Sequence, residues 1–138
     1  MRQFGVATQA REEFVDITAL VAQALAESGL REGALLVYSP HTTAGVTINE
    51  GADPDVKRDM LAHLRELVPN SPAFRHAEGN SDAHIKTSLM GPSQLIPVSG
   101  GRMALGTWQH IYLCEFDGPR RRTVLVQALA AQASEAGA

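Results

Sequence analysis

The sequence predicts an α+β fold with mostly antiparallel strands and two main helices. Helix-like and strand-like stretches come in mixed blocks, whereas a parallel sheet would need them to alternate regularly. From Gln94 onward, short strand-like segments follow one another and are separated by turns that contain glycine. The chain has 138 residues, which is the length of one domain, so we expect a single domain over residues 1–138.

The N-terminal part is predicted to contain short strands followed by a helix. Residues 2–8 and 13–15 have the composition of one or two strands. The helix is expected to be capped by Asp16 or Thr18 and to end at Gly29. Its buried face is indicated by apolar residues at helical spacing, namely Ile17, Leu20, Val21, Ala24 and Leu25.

The middle of the chain predicts two strands and the second main helix. Residues 33–39 form a short apolar run that is typical of a buried strand, and residues 41–50 alternate as a second strand. The helix begins with Asp53 as a cap and Pro54 in the first turn, and it ends at Pro69. Its apolar face consists of Val56, Met60, Leu61, Leu64 and Leu67.

The second half begins with a long irregular stretch and continues mainly as strands. Residues 69–81 are rich in turn residues, and a loop of this length is often functional in a compact domain. Asp82 is expected to cap about two helical turns that Gly91 and Pro92 close. The strands that follow are predicted in the segments QLIPVS, RMAL, TWQHIYLCEF and RRTVLVQ.

Composition excludes several classes of protein. The formal charge is -3 and aromatic residues make up 5% of the chain, which gives a nucleic-acid-binding surface little to build on. Cys114 is the only cysteine, so we expect a reducing, cytoplasmic compartment. No segment approaches the roughly 20 apolar residues of a spanning helix. We expect no membrane partner, no nucleic acid and no nucleotide cofactor.

The stretch HTTAGVTINE, residues 41–50, carries the first candidate site residues. Threonine is a good strand former, so Thr47 needs no functional explanation. His41, Thr42 and Thr43 directly follow a proline and can present several donors to an anion, or a ring nitrogen to a metal. At the other end of the stretch, Asn49 and Glu50 add an amide and a carboxylate.

The second cluster has helical spacing. Asn80, His84 and Ser88 are four residues apart and can share one helical face. His41, His84 and a carboxylate such as Glu50 match a metal-ligand set in residue type. They match an acid–base pair with an orienting carboxylate equally well. The sequence leaves both interpretations open.

The third cluster is the basic run at residues 120–122. Arg120 and Arg122 point the same way by alternation and can hold a phosphate, although Glu115 could instead pair with one of them. Gln109 is a candidate for neutral hydrogen bonding. Histidine is often a surface residue, so His63 and His76 are interpreted as surface side chains. Cys114 has no basic neighbour in sequence and is expected to be a core residue.

These clusters together resemble the YjbQ-like family, which is described as a family of secondary thiamine-phosphate synthases. The resemblance covers most of residues 41–126 and lies in HTTAGVTINE and in NSDAHIKTSLMGPSQLIPVSGGRMALGTWQHIYLCEFDGPRRR. It implies a two-layer β-sandwich assembled as a homotrimer. The motif positions it implies are His41, Thr42, Thr43, Asn49, Glu50, Asn80, His84, Gly106, Trp108, Gln109, Glu115 and Arg120 to Arg122. His110 departs from the family pattern, which commonly has a small residue there.

The resemblance implies an enzyme that joins hydroxymethylpyrimidine diphosphate to thiazole phosphate. Our hypothesis makes His84 the acid, base or metal ligand, with His41 and Glu50 as its partners. Phosphate and substrate are expected to contact Thr42, Thr43, Asn49, Asn80, Ser88, Gln109, Arg120 and Arg122. A divalent metal ion, Mg²⁺ or Zn²⁺, is the expected cofactor, with His41 and His84 as candidate ligands. The alternatives are a non-catalytic trimeric module that binds a metal or a phosphorylated metabolite, and polar groups that serve only the trimer interface.

Overall fold

The strands form two antiparallel sheets in the computed structural model, which describes residues 1–133. Five strands pair in the order β1-β8-β3-β5-β6, and three pair in the order β2-β7-β4. The strand bounds are β1 Arg2–Ala7, β2 Glu13–Asp16, β3 Gly33–Tyr38, β4 Ala44–Glu50, β5 Ser93–Ser99, β6 Arg102–Met103, β7 Gln109–Glu115 and β8 Arg121–Ala130. The predicted α+β fold is therefore confirmed.

The main core lies between the two sheets. Alternation sends Leu35 and Val37 of β3 inward, where they meet Val46 of β4 and Leu113 of β7. Each of these side chains is fully buried. The first helix packs against this same cluster through Val21, because its apolar stripe faces the sheets. One contiguous apolar core thus joins both sheets into a two-layer sandwich.

Two of the three helices lie where the sequence predicted them, and their ends follow the predicted signals except at the cap of the first helix. Helix α1, Thr18–Ser28, ends at Gly29 in the left-handed conformation with φ 69°. Helix α2, Pro54–Leu67, is capped by the Asp53 side chain, which accepts the Asp55 N–H at 2.9 Å. At the start of α1, the Asp16 carboxylate accepts the Thr18 N–H, although Ile17 occupies the cap position.

The third helix differs from its prediction. Helix α3, Ser81–Met90, has 10 residues, and Asn80, not Asp82, occupies the cap position. Asp82 lies inside the first turn with its side chain buried in ion pairs, so it is unavailable as a cap. The predicted strand at 41–50 is also shorter, since β4 begins at Ala44. Residues 41–43 are therefore a connection.

The outer face of the five-stranded sheet carries exposed apolar side chains, and no helix within residues 1–133 covers it. Leu36 and Tyr38 of β3 point outward and pair in register with Leu95 of β5 and Leu125 of β8. Leu95 remains 61% exposed and Leu129 44%. Among residues 1–133, no helix has both the length and the apolar character needed to cross a membrane.

Candidate functional site

A polar pocket of about 420 Å³ lies where three separate segments of the chain meet. The segments are the β3–β4 connection, the region from the end of the 69–80 loop into α3, and the turn from β7 to β8. The pocket is lined by Pro40, His41, Thr42, Thr43, His76, Glu78, Asn80, His84, Asp117, Arg120 and Arg122. Seven of the residues predicted for the site, from all three sequence clusters, therefore share one pocket.

The β3–β4 connection is held in place by its own backbone and by β8. The Ser39 hydroxyl donates to the carbonyl of Ala44 at 2.6 Å across the turn. His41 Nε2 accepts the backbone N–H of Thr123 at 2.8 Å, so the proton of the neutral ring lies on Nδ1. Burial of the ring and the charge of Arg122 lower the pKa of His41. His41 therefore offers the pocket a hydrogen-bond donor.

The floor of the pocket is a buried ion pair between Arg122 and Glu115. The guanidinium donates from Nε to Glu115 Oε1 at 2.9 Å and from a terminal nitrogen to Glu115 Oε2 and to the Thr43 hydroxyl. Burial alone would raise the pKa of Glu115, but hydrogen bonds from Arg122 and Thr8 outweigh it, and the pKa is lowered. The main role of Arg122 is therefore structural. Its second terminal nitrogen takes no part in these hydrogen bonds.

A hydrogen bond between a side-chain amide and a carboxylate joins the start of α3 to the β7–β8 turn. Asn80 Nδ2 donates to Asp117 Oδ2 at 2.8 Å, and Arg120 donates to the same oxygen at 3.1 Å. Because the carboxylate only accepts, the orientation of the Asn80 amide is defined. Its Oδ1 is buried and has no hydrogen-bond partner within residues 1–133. Asn80 is thus fixed at the point where α3 enters the pocket.

Four lining residues were not predicted for the site, namely Pro40 and the ionisable residues His76, Glu78 and Asp117. The His76 and His84 rings meet edge to face with centroids 5.5 Å apart. His76 and Glu78 lie in an irregular loop, where no periodicity indicates which way a side chain points. The composition of that loop, with two ionisable residues close to Asn80, was the available signal.

Four residues predicted for the site lie outside this pocket in the single chain. Glu50 and Asn49 stand opposite Gln109 and His110 in the β4–β7 register, at the far end from Ala44. At about 3.3 Å per residue, the length of β4 separates them from the pocket by about 20 Å. Ser88 donates to the carbonyl of His84 and is exposed. Their functional roles stay predictions.

His110 lies at the end of the β4–β7 pair that is far from the pocket, where its ring contacts other residues. Its Nδ1 lies 2.6 Å from Asp16 Oδ2, and its ring stacks on Tyr112 at 6.5 Å between centroids. The ring also lies directly against Gly51, where a Cβ would overlap it. The structure therefore places His110 in a contact that a side chain at position 51 would displace.

Metal-binding geometry is absent from the part of the chain that the structure describes. No three His, Cys, Asp or Glu side chains within residues 1–133 are grouped so that they could hold a metal ion. His41 also uses Nε2 as an acceptor for Thr123, and its Nδ1 carries the proton. A Mg²⁺ or Zn²⁺ cofactor therefore stays a prediction.

A charge network with buried Lys86, Asp82 and Glu12 side chains fastens α3 to the β1–β2 loop. Lys86 Nζ lies 2.9 Å from Glu12 Oε2 and 3.5 Å from Asp82 Oδ2. Asp82 also pairs with Arg11, and Glu12 with Arg65 of α2. Burial would raise the pKa of Asp82, but Arg11 and Lys86 lower it. The network ties α3, which carries His84, to two other elements.

Comparison with known proteins places the chain among proteins of one family. The family model described as UPF0047 protein YjbQ-like matches residues 2–131. UPF0047 protein YugU of Bacillus subtilis is 51% identical over 130 residues, which cover 94% of this chain and 98% of YugU. A UPF0047 protein of Methanocaldococcus jannaschii is 51% identical over 127 residues and 92% of each chain.

Solved structures agree with this result. The crystal structure of an uncharacterised conserved YjbQ/UPF0047 family protein from Clostridium acetobutylicum superposes with a TM-score of 0.92 at 51% identity, over 94% of this chain and all of that one. A protein of unknown function from Sulfolobus solfataricus superposes with a TM-score of 0.90 at 33% identity, over 94% of this chain and 96% of that one. The protein therefore belongs to the YjbQ-like UPF0047 family.

Proposed function

We propose that the protein is a thiamine-phosphate synthase and that its polar pocket binds the phosphorylated substrate. The observation that carries this proposal is the meeting of His41, His84 and Arg120 in one pocket from three separate segments. Hydroxyl groups of Thr42 and Thr43 line the same space. Donors of several kinds around one cavity of about 420 Å³ suit an anionic ligand.

The proposed reaction is a substitution at a methylene carbon. The nitrogen of the thiazole phosphate attacks the methylene of hydroxymethylpyrimidine diphosphate, and a C–N bond forms as the C–O bond to diphosphate breaks. The electron pair of the C–O bond leaves with diphosphate, and the thiazole nitrogen becomes cationic. The protein therefore has to stabilise negative charge that develops on the leaving diphosphate.

Within this proposal the pocket residues divide by what they can donate. His41 donates from Nδ1 as a neutral ring, because its Nε2 is occupied by Thr123. Arg120 supplies the positive charge at the rim, although Asp117 shares it. His84 is the proposed general acid, since it lines the pocket without the backbone bond that restricts His41. Arg122 positions Thr43 and adds charge from the floor.

The two carboxylates in the pocket indicate which kind of ligand would fit it. Glu78 and Asp117 line the pocket beside the donors, so the space is not uniformly positive. A ligand with both an anionic group and hydrogen-bond donors complements this arrangement better than a simple anion does. An aminopyrimidine diphosphate has both kinds of group, which supports the proposed substrate.

The homotrimer and the cytoplasmic location belong to the same proposal. The uncovered outer face of the five-stranded sheet supports self-association, because exposed Tyr38, Leu95 and Leu129 there are apolar. The single cysteine, Cys114, is buried in the core, and burial raises the pKa of its thiol. A chain without disulfides is typical of a reducing compartment.

The proposal is tested by turnover and binding with a matched pair of variants. We expect purified protein to release diphosphate from the two thiamine precursors, and His84→Ala to lower kcat at least about 100-fold, as loss of an acid–base group does. His63→Ala is the control, because His63 is exposed on α2 and does not line the pocket. Binding of both precursors without turnover would instead indicate a ligand-binding module, and no binding would refute the proposed site.

A further inference from the structure

A second pocket shares a wall with the polar one. It is shallow, has a volume of about 490 Å³ and is lined by Phe74, His76, Ser81, His84 and Ile85. Its surface is mainly apolar, in contrast to the polar pocket. Ile85 is 38% exposed although it is a large aliphatic residue. An apolar concavity that opens beside a group of convergent polar residues is a common feature of small-molecule sites.

The shared wall consists of the two histidines. His76 and His84 line both pockets, and their rings meet edge to face at 5.5 Å between centroids. In such an arrangement one ring presents its edge and the other its face, so flat π surface remains for a third ring. A ligand that enters the polar pocket therefore passes directly by the apolar one.

We infer that the apolar pocket is a second subsite for a flat aromatic or heteroaromatic group attached to the phosphate. This inference rests on the proposed function, because it requires an anionic group in the polar pocket. Phe74 and Ile85 would contact one side of the ligand's ring, and the histidine pair would contact the other side. Phe74, His76 and Ile85 then determine specificity, since they discriminate aromatic phosphate esters from small aliphatic ones.

The contacts give the inference a measurable form. An aromatic ring that leaves water for this pocket gains apolar contact that a methyl group cannot make. We expect phenyl phosphate to bind about tenfold more tightly than methyl phosphate, a factor that corresponds to about 1.4 kcal/mol. Inorganic phosphate serves as the third probe and reports on the polar pocket alone. Titration calorimetry gives the dissociation constants.

Two variants and a control isolate the subsite. We expect Ile85→Ser to reduce the preference for phenyl over methyl phosphate to less than about threefold, and Phe74→Ala to have the same direction of effect. Leu89→Ala is the matched control, because Leu89 lies one turn further along α3, is 55% exposed and lines neither pocket. The control is expected to keep the tenfold preference.

The outcomes separate the inference from the proposed function. If phosphate and both esters bind the wild type with equal affinity, the polar site stands and the aromatic subsite is refuted. A preference for phenyl phosphate that persists in Ile85→Ser and in Phe74→Ala would also refute it. If no probe binds the wild type, both the proposed function and the subsite fail. Loss of the preference only in the two subsite variants is the result we expect.

Discussion

Lys86 Nζ lies 2.9 Å from Glu12 Oε2, and the lysine side chain is only 2% exposed. An ammonium group this deeply buried is stable only if carboxylates compensate it, and Asp82 supplies the second one at 3.5 Å. The pair joins α3 to the β1–β2 loop. The backbone carbonyl of Arg11 in this loop also accepts the N–H of Gly118, so the same loop holds the turn that carries Asp117.

Removal of the buried ammonium is expected to destabilise the fold. Lys86→Met keeps most of the side-chain volume but leaves Glu12 and Asp82 as neighbouring buried carboxylates. We expect the free energy of unfolding in urea to fall by about 3 kcal/mol. The double variant Lys86→Met/Glu12→Gln removes one of these carboxylates, so it should recover about 1 kcal/mol or more. A single variant as stable as the wild type would contradict this role of Lys86.

The Glu115–Arg122 pair predicts the response of stability to acid. The pKa of Glu115 is lower in the folded chain than its ordinary value of 4.5, so the unfolded chain takes up the proton first as the pH falls. The stabilisation is complete well above pH 4.5 and is lost as the pH drops through the folded pKa. We expect Glu115→Gln to lower stability by about 3 kcal/mol at pH 7 and to flatten the loss in acid. The measurement is urea unfolding of both proteins across a range of pH. If the stability of both depends equally on acid, the Glu115–Arg122 pair does not control the acid response.

His41 is expected to stay neutral where an ordinary histidine is half protonated. Its pKa is lowered by burial and by Arg122, so at pH 6.5 less than half of the folded molecules carry the imidazolium. The unfolded chain takes up this proton first, and stability therefore falls as the pH decreases below 6.5. Nitrogen-15 spectra of the imidazoles, assigned with His41→Gln, should show a bare Nε2 and a proton on Nδ1. The opposite tautomer would contradict the bond to Thr123.

The outer sheet face predicts how the proposed trimer can be dissociated. Leu95→Arg introduces a charge into the apolar surface of β5, and burial of an unpaired guanidinium at an interface is unfavourable. We expect the variant to sediment as a monomer at a concentration where the wild type is a trimer. Leu67→Arg is the control, because Leu67 is similarly exposed, at 60%, but lies on α2. A wild type that sediments as a monomer would remove the trimer from the proposal.

Local signals predicted the elements better than they predicted the site. Gly29 ends α1, and Asp53 with Pro54 starts α2, because these residues act on the backbone beside them. The predicted start of α3 was wrong because the Asp82 carboxylate is held by Lys86, one turn further along the helix, and by Arg11, which is 71 residues away in sequence. A tertiary ion pair of this kind leaves no periodic trace in the sequence.

In the site, too, residue types were easier to predict than spatial contacts. His41, His84 and Arg120 were predicted from residue type and from resemblance, and all three line one pocket. His76 was interpreted as a surface residue because histidine often lies at the surface, and it is exposed, but its ring also contacts the ring of His84. Glu50 was predicted to be a partner of the histidines because a carboxylate completes a metal-ligand set or an acid–base pair in residue type. The length of β4 instead places it at the opposite end.

The contact between His110 and Gly51 has a consequence for the order in which these positions can change. With the histidine ring held by Asp16, a Cβ at position 51 would overlap it, so a side chain there requires the ring to leave this contact. A relative with a small residue at position 110 has no such restriction. In an evolving lineage, loss of the imidazole would therefore have to precede any gain of a side chain at 51, and the reverse path would pass through a destabilised intermediate.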